Sequence, residues 1–276
     1  MLPPPPNNAD LQNFIANIRA RFEAELAVNP DLYHPIDAKR VRTEDWQVKR
    51  FLLNSEGGDD EDEAFNSLLS SLQWKKRFGL HDRTDAYFPR ELWLMAKTEL
   101  YGRDKSGRLI WWQATKGIRN FSETALLARQ FYAHCLEQAD RAVGELGGTF
   151  IGDTKGASIL HVDHRLEQFK IGLLPYYPLI ARAVYIVDLP WLLTGVVKLI
   201  MGWLDGSLRK NVHCVSSAVL VPDVVEEEIT PVALGGTRKR YEGLPDGVQS
   251  LEALAEQFGF TEEFVKRFYK VTGLSK

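Results

Sequence analysis

The stretch VDLPWLLTGVVKLIMGWLDG, residues 187–206, places the tightest constraint on the fold. Only Lys198 is charged between Asp188 and Asp205, and apolar residues cover every side of a helix drawn through the segment. Because a surface helix keeps a polar face toward water, a helix that is apolar all round must be enclosed or must contact an apolar partner. The interval 189–204 is shorter than the roughly 20 residues that span a bilayer, so a transmembrane helix is not predicted.

The composition of the 276-residue chain limits the classes of function. A hydrophobic content of 45% is enough for a sizeable core, and the net charge of -3 argues against a nucleic-acid partner, because phosphate backbones attract basic surfaces. Cys135 and Cys214 are too few for a disulfide framework, so we expect reduced thiols and a cytoplasmic protein. The tract MLPPPPNN lacks the apolar core of a secretion signal, and residues 1–9 are predicted to form a disordered tail.

Apolar residues at helical spacing predict a helical unit over residues 10–82. Asn8 or Asp10 can cap a first helix, and a second helix follows in the middle of the unit. The acidic run at 56–63 predicts a loop and then a helix over about 63–78 that begins with favourable negative charge. The apolar residues that define these three helices are Leu11, Phe14, Ile15, Ile18, Phe22, Leu26, Trp46, Phe51, Leu52, Phe65, Leu68, Leu69 and Leu72.

Beyond residue 82 the apolar residues follow the spacing of strands that alternate with helices. Helices are predicted at 122–143 and before the PYYP of 175–178. Strands separated by helices need crossover connections, so the prediction is an α/β fold with a mixed, mostly parallel sheet. The predicted strands are 107–116, 149–153, 183–188 and 213–221.

The last segment, residues 243–276, is predicted to be a helical extension. Ser250 and Thr261 can each cap a short helix, and Gly259 can end the first of the two. Glu262 and the glutamate after it suit the first turn of the second helix.

Motifs for catalysis are missing from the sequence. No glycine-rich phosphate loop, dinucleotide fingerprint, serine-hydrolase elbow or HExxH zinc motif occurs, so we expect neither an enzyme nor a bound cofactor or metal. In HVDH, His161 and His164 could bind a metal with Glu167, but ordinary polar helix residues are the favoured interpretation. His134 beside Cys135 suggests a thiol–imidazole pair, although neighbours in sequence point in different directions on a helix.

The segment GGTRKR, residues 235–240, has two interpretations. Two glycines followed by basic residues could form a phosphate-binding turn, because glycine lets the backbone approach an anion. A tight turn beside a solvated basic patch is the favoured interpretation.

Five segments occur in an order that is more specific than any one of them. They are WQVKRFLLNSEGGDDEDEAFNSLLSSLQWKKRFGL (46–80), YGRDKSGRLIWWQ (101–113), FIGDTKGAS (150–158), YYPLIARAVYIVDLPWLLTGVVKLIMGWLDGSLRKNV (176–212) and ITPVALGGT (229–237). Over roughly residues 40–240 the chain resembles the CRAL-TRIO family of lipid-binding and lipid-transfer proteins. Within it, the block at 176–212 looks most similar to the subgroup that includes the lipid-binding domain of motile sperm domain-containing protein 2.

The resemblance implies a CRAL-TRIO lipid-binding domain at residues 83–242, with residues 191–204 as a mobile gate helix over a hydrophobic cavity. Such a helix would contact lipid on one side and, when open, a membrane on the other, which accounts for its apolar surface. We expect the protein to bind a lipid or other hydrophobic small molecule and to carry it between membranes without chemistry. A monomer with transient membrane contact is expected.

The expected site residues fall into three sets. The strands are expected to line the cavity through Trp111, Gln113, Ile151, Asp153, Tyr185 and Val187. The gate helix is expected to contribute Leu192, Val196, Val197, Ile200, Met201 and Leu204. The residues expected at the membrane are Lys198, Trp203, Arg209 and Lys210.

The chain departs from the phosphatidylinositol-binding members of the family at three positions. Leu179 stands where they carry a glutamate after a tyrosine–proline pair. Leu208 and Asn211 stand where they carry a threonine and a lysine, with Lys210 one position away. Losing these partners removes charge-assisted hydrogen bonds to an inositol phosphate, so phosphoinositide exchange is not expected.

A protein-interaction module with the same fold is the alternative function. In that case large side chains such as Trp111, Trp191 and Trp203 would fill the cavity, and the surface would recruit a protein partner.

Overall fold

The computed structural model describes residues 8–55, 58, 60–96, 98–204, 206–239 and 243–275. Residues 1–7 of the predicted tail, and Glu56, Gly57 and Asp59 of the predicted acidic loop, lie outside the described residues. The chain forms two compact units, named here the helical unit and the sheet unit. The helical unit comprises Met1–Arg83 and Leu173–Ile180, and the sheet unit comprises Thr84–Gly172 and Ala181–Lys276.

The described part of the helical unit contains four helices: α1 Asn8–Val28, α2 Pro35–Thr43, α3 Asp45–Leu52 and α4 Glu61–Phe78. Apolar residues of α1, α3 and α4 pack into one core, as their helical spacing predicts. Asp60 caps α4 by accepting a hydrogen bond from the backbone nitrogen of Glu63 at 2.8 Å. The apolar pattern does not predict α2, because Ala38 and Val41 are its only buried apolar side chains.

A later segment of the chain, residues 173–180, belongs to the helical unit. The buried guanidinium of Arg50 donates hydrogen bonds through Nε and Nη2 to the carbonyl oxygen of Pro178 at 2.8 and 2.6 Å. The ring of Trp74 stacks on that of Tyr176 with centroids 4.9 Å apart. Because a buried cation must find acceptors, these bonds hold the segment in the unit just before the chain enters a strand.

The sheet unit contains a five-stranded sheet in the order β1-β2-β3-β4-β5. β1 pairs antiparallel with β2, and every following pair is parallel. The predicted mixed, mostly parallel sheet is therefore confirmed, with β1 as a strand that the pattern did not predict. The strands are β1 Glu99–Arg103, β2 Leu109–Ala114, β3 Gly148–Asp153, β4 Ala181–Val187 and β5 Val212–Val215.

Helices connect these strands and extend beyond them. Parallel crossovers are right-handed, and the strands follow one another in sequence order, so the connecting helices lie against one face of the sheet. The helices are α5 Arg90–Ala96, α6 Ala125–Val143, α7 His164–Leu173, α8 Thr194–Gly202, α9 Gly206–Arg209, α10 Ser217–Asp223, α11 Ala255–Phe258 and α12 Glu262–Thr272.

The strand predicted at 213–221 is wrong in its second half. β5 ends at Val215, and α10 begins two residues later. The carboxylate of Asp188 accepts a hydrogen bond from the backbone nitrogen of Ser217 at 2.8 Å, which satisfies a free amide at the helix start. A short apolar run fits a strand or a buried helix equally well, and here a contact from a distant residue decides.

The C-terminal predictions have mixed outcomes. Thr261 caps α12 by accepting a hydrogen bond from the nitrogen of Phe264, and Gly259 ends α11 in the left-handed conformation, as predicted. Ser250 instead accepts from the nitrogen of Ala253 and caps a turn that precedes α11, so its predicted role as a helix cap is wrong.

The glycine pair at 235–236 forms a tight turn whose backbone groups are used internally. The nitrogens of Gly235 and Gly236 donate to the carbonyl oxygens of Val232 and Pro231 at 3.1 and 3.2 Å, so neither is directed at an anion. Gly235 has a φ of +88° in open space, whereas a Cβ on Gly236 would lie 2.1 Å from the carbonyl oxygen of Thr230.

These environments predict different costs for the same substitution. We expect Gly235→Ala to lower the free energy of unfolding by about 1–2 kcal/mol through left-handed strain. Gly236→Ala should lower it by about 2–4 kcal/mol, because the new methyl group overlaps a backbone carbonyl that cannot turn aside. Urea denaturation of both variants measures the difference, and equal costs would contradict the close packing at Gly236.

Candidate ligand-binding site

The strand register assigns each side chain of the sheet to one of two faces. Trp112 pairs with Ile151, Ile151 with Tyr185, and Tyr185 with His213. Side chains alternate along a strand, so residues in register share a face and their immediate neighbours lie on the other one.

One face is sealed by apolar packing. It carries Ile110, Trp112, Ile151 and Val187, which are buried in one cluster with side chains from α10 and the segment that follows it. The indole of Trp112 donates to the carbonyl oxygen of Tyr101 at 2.9 Å, which satisfies its only polar atom. This face is an ordinary core.

The opposite face is half-open and apolar. Its two rows run across β2, β3, β4 and β5 in register, and beyond buried Trp111 every member is half-buried or exposed. Trp111 packs on Tyr132 of α6 with centroids 5.6 Å apart, so the half-open face is the one that the connecting helices approach. The rows are Trp111, Phe150, Val184 and Val212, and Gln113, Gly152, Ile186 and Cys214.

The six strand residues predicted to line one cavity do not share a surface. Trp111 and Gln113 lie on the half-open face, whereas the other four predicted residues lie on the sealed face. The sequence shows that side chains alternate between the two faces within one strand. Which residues of neighbouring strands share a face depends on the pairing register, which the sequence does not show. The residues missed on the half-open face are Phe150, Val184, Ile186, Val212 and Cys214.

The apolar run after β4 is shorter as a helix than predicted and is not enclosed on all sides. A 3-10 turn, Trp191–Leu193, precedes α8. One stripe faces inward: Leu193 and Leu204 are buried, and Val196, Val197, Ile200 and Met201 are half-buried. The outward stripe is exposed: Trp191 and Leu192 of the turn are 81% and 65% exposed, and Leu199 of α8 is 56% exposed beside the exposed Lys198. Of the six predicted gate residues, Leu192 alone belongs to the outward stripe.

A second exposed apolar turn lies at the carboxyl end of the parallel strands, as the turn Trp191–Leu193 does. Ile159 and Leu160, which follow β3, are 60% and 76% exposed. The nitrogen and hydroxyl of Thr154 both donate to the carbonyl oxygen of Val187, so the chain after β3 is tied to the end of β4. We name Ile159, Leu160, Trp191 and Leu192 the apolar edge residues.

The residues predicted at the membrane differ in environment. Lys198, Arg209 and Lys210 are exposed, whereas Trp203 is half-buried. Arg209 donates to the carbonyl oxygens of Gly202 and Leu204 at 3.2 and 2.6 Å, which are unsatisfied acceptors at the end of a helix. Arg209 therefore fixes the end of α8.

A cavity lies at the β2 end of the half-open face. Its volume is about 60 Å³, and the empty space including its open mouth is about 560 Å³. Of the predicted lining residues, Gln113 is among those around it. Apolar side chains of α5 and α6 form much of its wall, and its polar or ionisable lining residues are Thr98, Gln113, Arg119, Asn120, Thr124, Tyr132, Cys135 and Lys170.

Charge is unevenly distributed around this cavity. Lys170 binds Glu167 at 2.8 Å and lies 4.9 Å from the centroid of the Tyr132 ring. Burial raises the pKa of the Tyr132 hydroxyl, and it raises the pKa of the Cys135 thiol to about 12. Both groups are therefore neutral at physiological pH.

The side chains considered above as metal ligands or as a thiol–imidazole pair contact other residues. His161 accepts a hydrogen bond at Nδ1 from the backbone nitrogen of Ser158 at 2.8 Å, and burial lowers its pKa. Glu167, the proposed third metal ligand, pairs with Lys170 as described. His134 binds Asp85 at 2.6 Å, whereas the thiol of its neighbour Cys135 lies 4.0 Å from Thr98.

The basic segment at 235–240 also has a structural role where it is described. Arg238 donates to both carboxylate oxygens of Glu99 at 2.6 and 3.1 Å and lies 4.2 Å from the centroid of the Tyr101 ring. Arg238 is therefore not solvated, whereas Lys239 beside it is exposed, as the favoured interpretation expects. Arg240 lies outside the described residues.

Comparisons with known proteins agree with this architecture. A family model described as CRAL/TRIO domain matches residues 95–236, just over half of the chain, and the chain belongs to that family. The solved structure titled "Crystal structure of Sfh5" is similar at 15% identity and a TM-score of 0.62. The match covers 91% of this chain and 98% of that one, which shows the shared fold. Proteins of this fold family bind and transfer lipids.

No helix among the described residues is long and apolar enough to cross a bilayer.

The two cysteines should differ in reactivity toward iodoacetamide. Cys214 is exposed, whereas Cys135 is buried, and burial raises the pKa of its thiol to about 12, so it stays almost wholly protonated at pH 8 and at pH 10. Because the thiolate is the nucleophile, we expect alkylation at Cys214 alone at pH 8, and still alone at pH 10. Peptide mass spectrometry locates the modification. Alkylation of both residues at similar rates would show that the cavity around Cys135 opens readily.

Proposed function

We propose that this protein binds one hydrophobic molecule on the half-open face of its sheet and carries it between membranes without chemical reaction. The observation that carries the proposal is the difference between the faces: one is sealed, and the other leaves apolar side chains on three strands only half-buried. Apolar surface left to water is unfavourable, by about 25 cal/mol per Å². A ligand that covers this surface would recover that free energy.

α8 is proposed as the gate over this face. Its inward stripe supplies Val196, Val197, Ile200 and Met201, which are half-buried although apolar. The right-handed crossover between β4 and β5 directs α8 to the half-open face. A ligand would thus lie between apolar strands and an apolar helix.

The membrane contact is proposed to involve the apolar edge residues. Four large apolar side chains exposed at one edge of a sheet are unfavourable in water and favourable at a lipid interface. Lys155 follows β3 and Lys198 lies on α8, and both are exposed cations that would be attracted to anionic lipids. We propose a transient association, because a carrier must also leave the membrane.

Three further parts of the proposal have separate support. Both cysteines are free thiols, which fits a cytoplasmic protein. Leu179, Leu208 and Asn211 do not provide the charged and hydroxyl partners of an inositol phosphate, so phosphatidylinositol is not the proposed ligand. A relation to the lipid-binding domain of motile sperm domain-containing protein 2 is also proposed, and the similarity of residues 176–212 supports it.

The interaction module remains the second candidate, and the exposed apolar edge residues are the observation that favours it. The interaction module requires Trp111, Trp191 and Trp203 to fill the cavity. Trp191 is 81% exposed and therefore does not fill it. Purified protein that contains no extractable hydrophobic molecule, together with capture of a protein through Trp191, would favour the module over the carrier.

Ligand content tests the binding part of the proposal. We expect Ile200→Trp to lower the amount of hydrophobic molecule extracted per mole of purified protein by at least about fivefold, because the larger ring occupies the ligand's space. Leu199→Trp is the matched control, since Leu199 directly precedes Ile200 and is 56% exposed. Mass spectrometry of the extracts measures the content. Equal content in both variants would exclude the inward stripe as ligand contact.

Vesicle binding tests the membrane part. We expect Trp191→Ser with Leu192→Ser to weaken binding to phosphatidylcholine vesicles that contain phosphatidylserine by about tenfold or more, while ligand content stays unchanged. The control is Leu146→Ser, because Leu146 is 58% exposed but precedes β3, at the opposite end of the parallel strands. Co-sedimentation measures binding. Equal loss in the control would mean that exposed apolar area acts regardless of its position.

A further inference from the structure

The cavity at the β2 end of the half-open face carries one positive charge that no carboxylate balances among the described residues. Arg119 donates through Nη1 to the carbonyl oxygens of Lys116 and Ile118 at 2.8 and 2.9 Å. These bonds fix the guanidinium but do not neutralise it. Lys170, the other cation at the cavity, is already paired with Glu167.

The remaining polar groups of the cavity do not compensate for this charge. Tyr132 and Cys135 are neutral, as their environment requires. The side-chain amide of Gln113 makes no hydrogen bond to the described residues, so its NH₂ group is available to a ligand acceptor. Arg119 is half-buried, so an anion that entered the cavity would receive charge-assisted hydrogen bonds from a guanidinium that is only partly solvated.

The size of the cavity limits what that anion can be. The enclosed part of the cavity measures only about 60 Å³, and it opens into a larger space of about 560 Å³ at the mouth. A carboxylate with its first few carbon atoms fits such a space. A phosphorylated sugar headgroup has several times as many atoms and would have to extend out of the enclosed part into the open mouth.

The position of the cavity links this anion site to the proposed ligand site. Gln113 lines the cavity and also begins the row that continues through Gly152, Ile186 and Cys214 across the half-open face. A molecule with its polar end beside Gln113 could therefore extend its apolar body along that row.

Resting on the proposed function, we infer that the ligand is a monocarboxylate amphiphile whose anionic end is bound by Arg119 in this cavity. The chain of the amphiphile lies along the half-open face. A fatty-acid-like molecule has this chemistry.

Isothermal titration with a pair of probes, decanoate and 1-decanol, tests the inference on the full chain. The probes share a ten-carbon chain and differ in charge. We expect wild-type protein to bind decanoate about tenfold or more tightly than 1-decanol. Arg119→Gln should remove this preference and change 1-decanol binding by less than about twofold, whereas Arg119→Lys should retain part of the preference because it keeps the charge.

The control substitution is Arg129→Gln, since Arg129 lies on α6 against Phe169 and does not line the cavity. It should leave the affinities for both probes unchanged. If wild-type protein binds decanoate and 1-decanol equally, or if Arg119→Gln keeps the preference, the inference is overturned while the proposed function stands. If neither probe binds, the proposed function fails as well.

Discussion

The pairing register of the parallel strands is the constraint on which the rest of the sheet unit depends. It aligns Trp111 with Phe150 and Val184 on one face, and Trp112 with Ile151 and Tyr185 on the other. A shift of one residue would exchange the two sets. The sealed face packs against α10 and the chain after it, and the right-handed crossovers place the connecting helices over the half-open face. The candidate ligand site is thus the face that the core does not use.

The apolar segment after β4, which contains α8, is exposed on one side. Val196 and Ile200 on its inward side are half-buried, whereas Leu199 and, in the preceding turn, Trp191 are large apolar side chains left exposed. Large apolar side chains that are exposed in this way are unfavourable in water. In the proposed function this unfavourable exposure ends when the outward side of the segment contacts lipid.

Much of the fold was predictable, because helices α1, α4 and α6 and strands β2, β3 and β4 carry strong local patterns. The site was predictable only in part. Trp111 and Gln113 lie on the half-open face, but Ile151 and Tyr185 do not, since no local pattern reports the phase between strands.

The remaining errors have related physical causes. The strand predicted over 213–221 ends at Val215, because Asp188, which is distant in sequence, accepts a hydrogen bond at the start of the next helix. Residues 173–180 return to the helical unit through two hydrogen bonds from Arg50 to a backbone carbonyl and through the stacking of Trp74 on Tyr176, and neither contact leaves a sequence signature. Long-range polar contacts of this kind decide element boundaries where hydrophobic periodicity is ambiguous.

The most direct test of the account compares two neighbouring positions of β5 that lie on opposite faces. Cys214 is on the half-open face, and His213→Cys in a Cys214→Ser background places a thiol on the other face of the same strand. The labelling rate of each thiol is measured before and after incubation of the protein with vesicles of total cell lipid. The account predicts that lipid loading slows labelling at position 214 and leaves position 213 unchanged. Equal labelling of position 214 with and without lipid, or protection of position 213 instead, would contradict it.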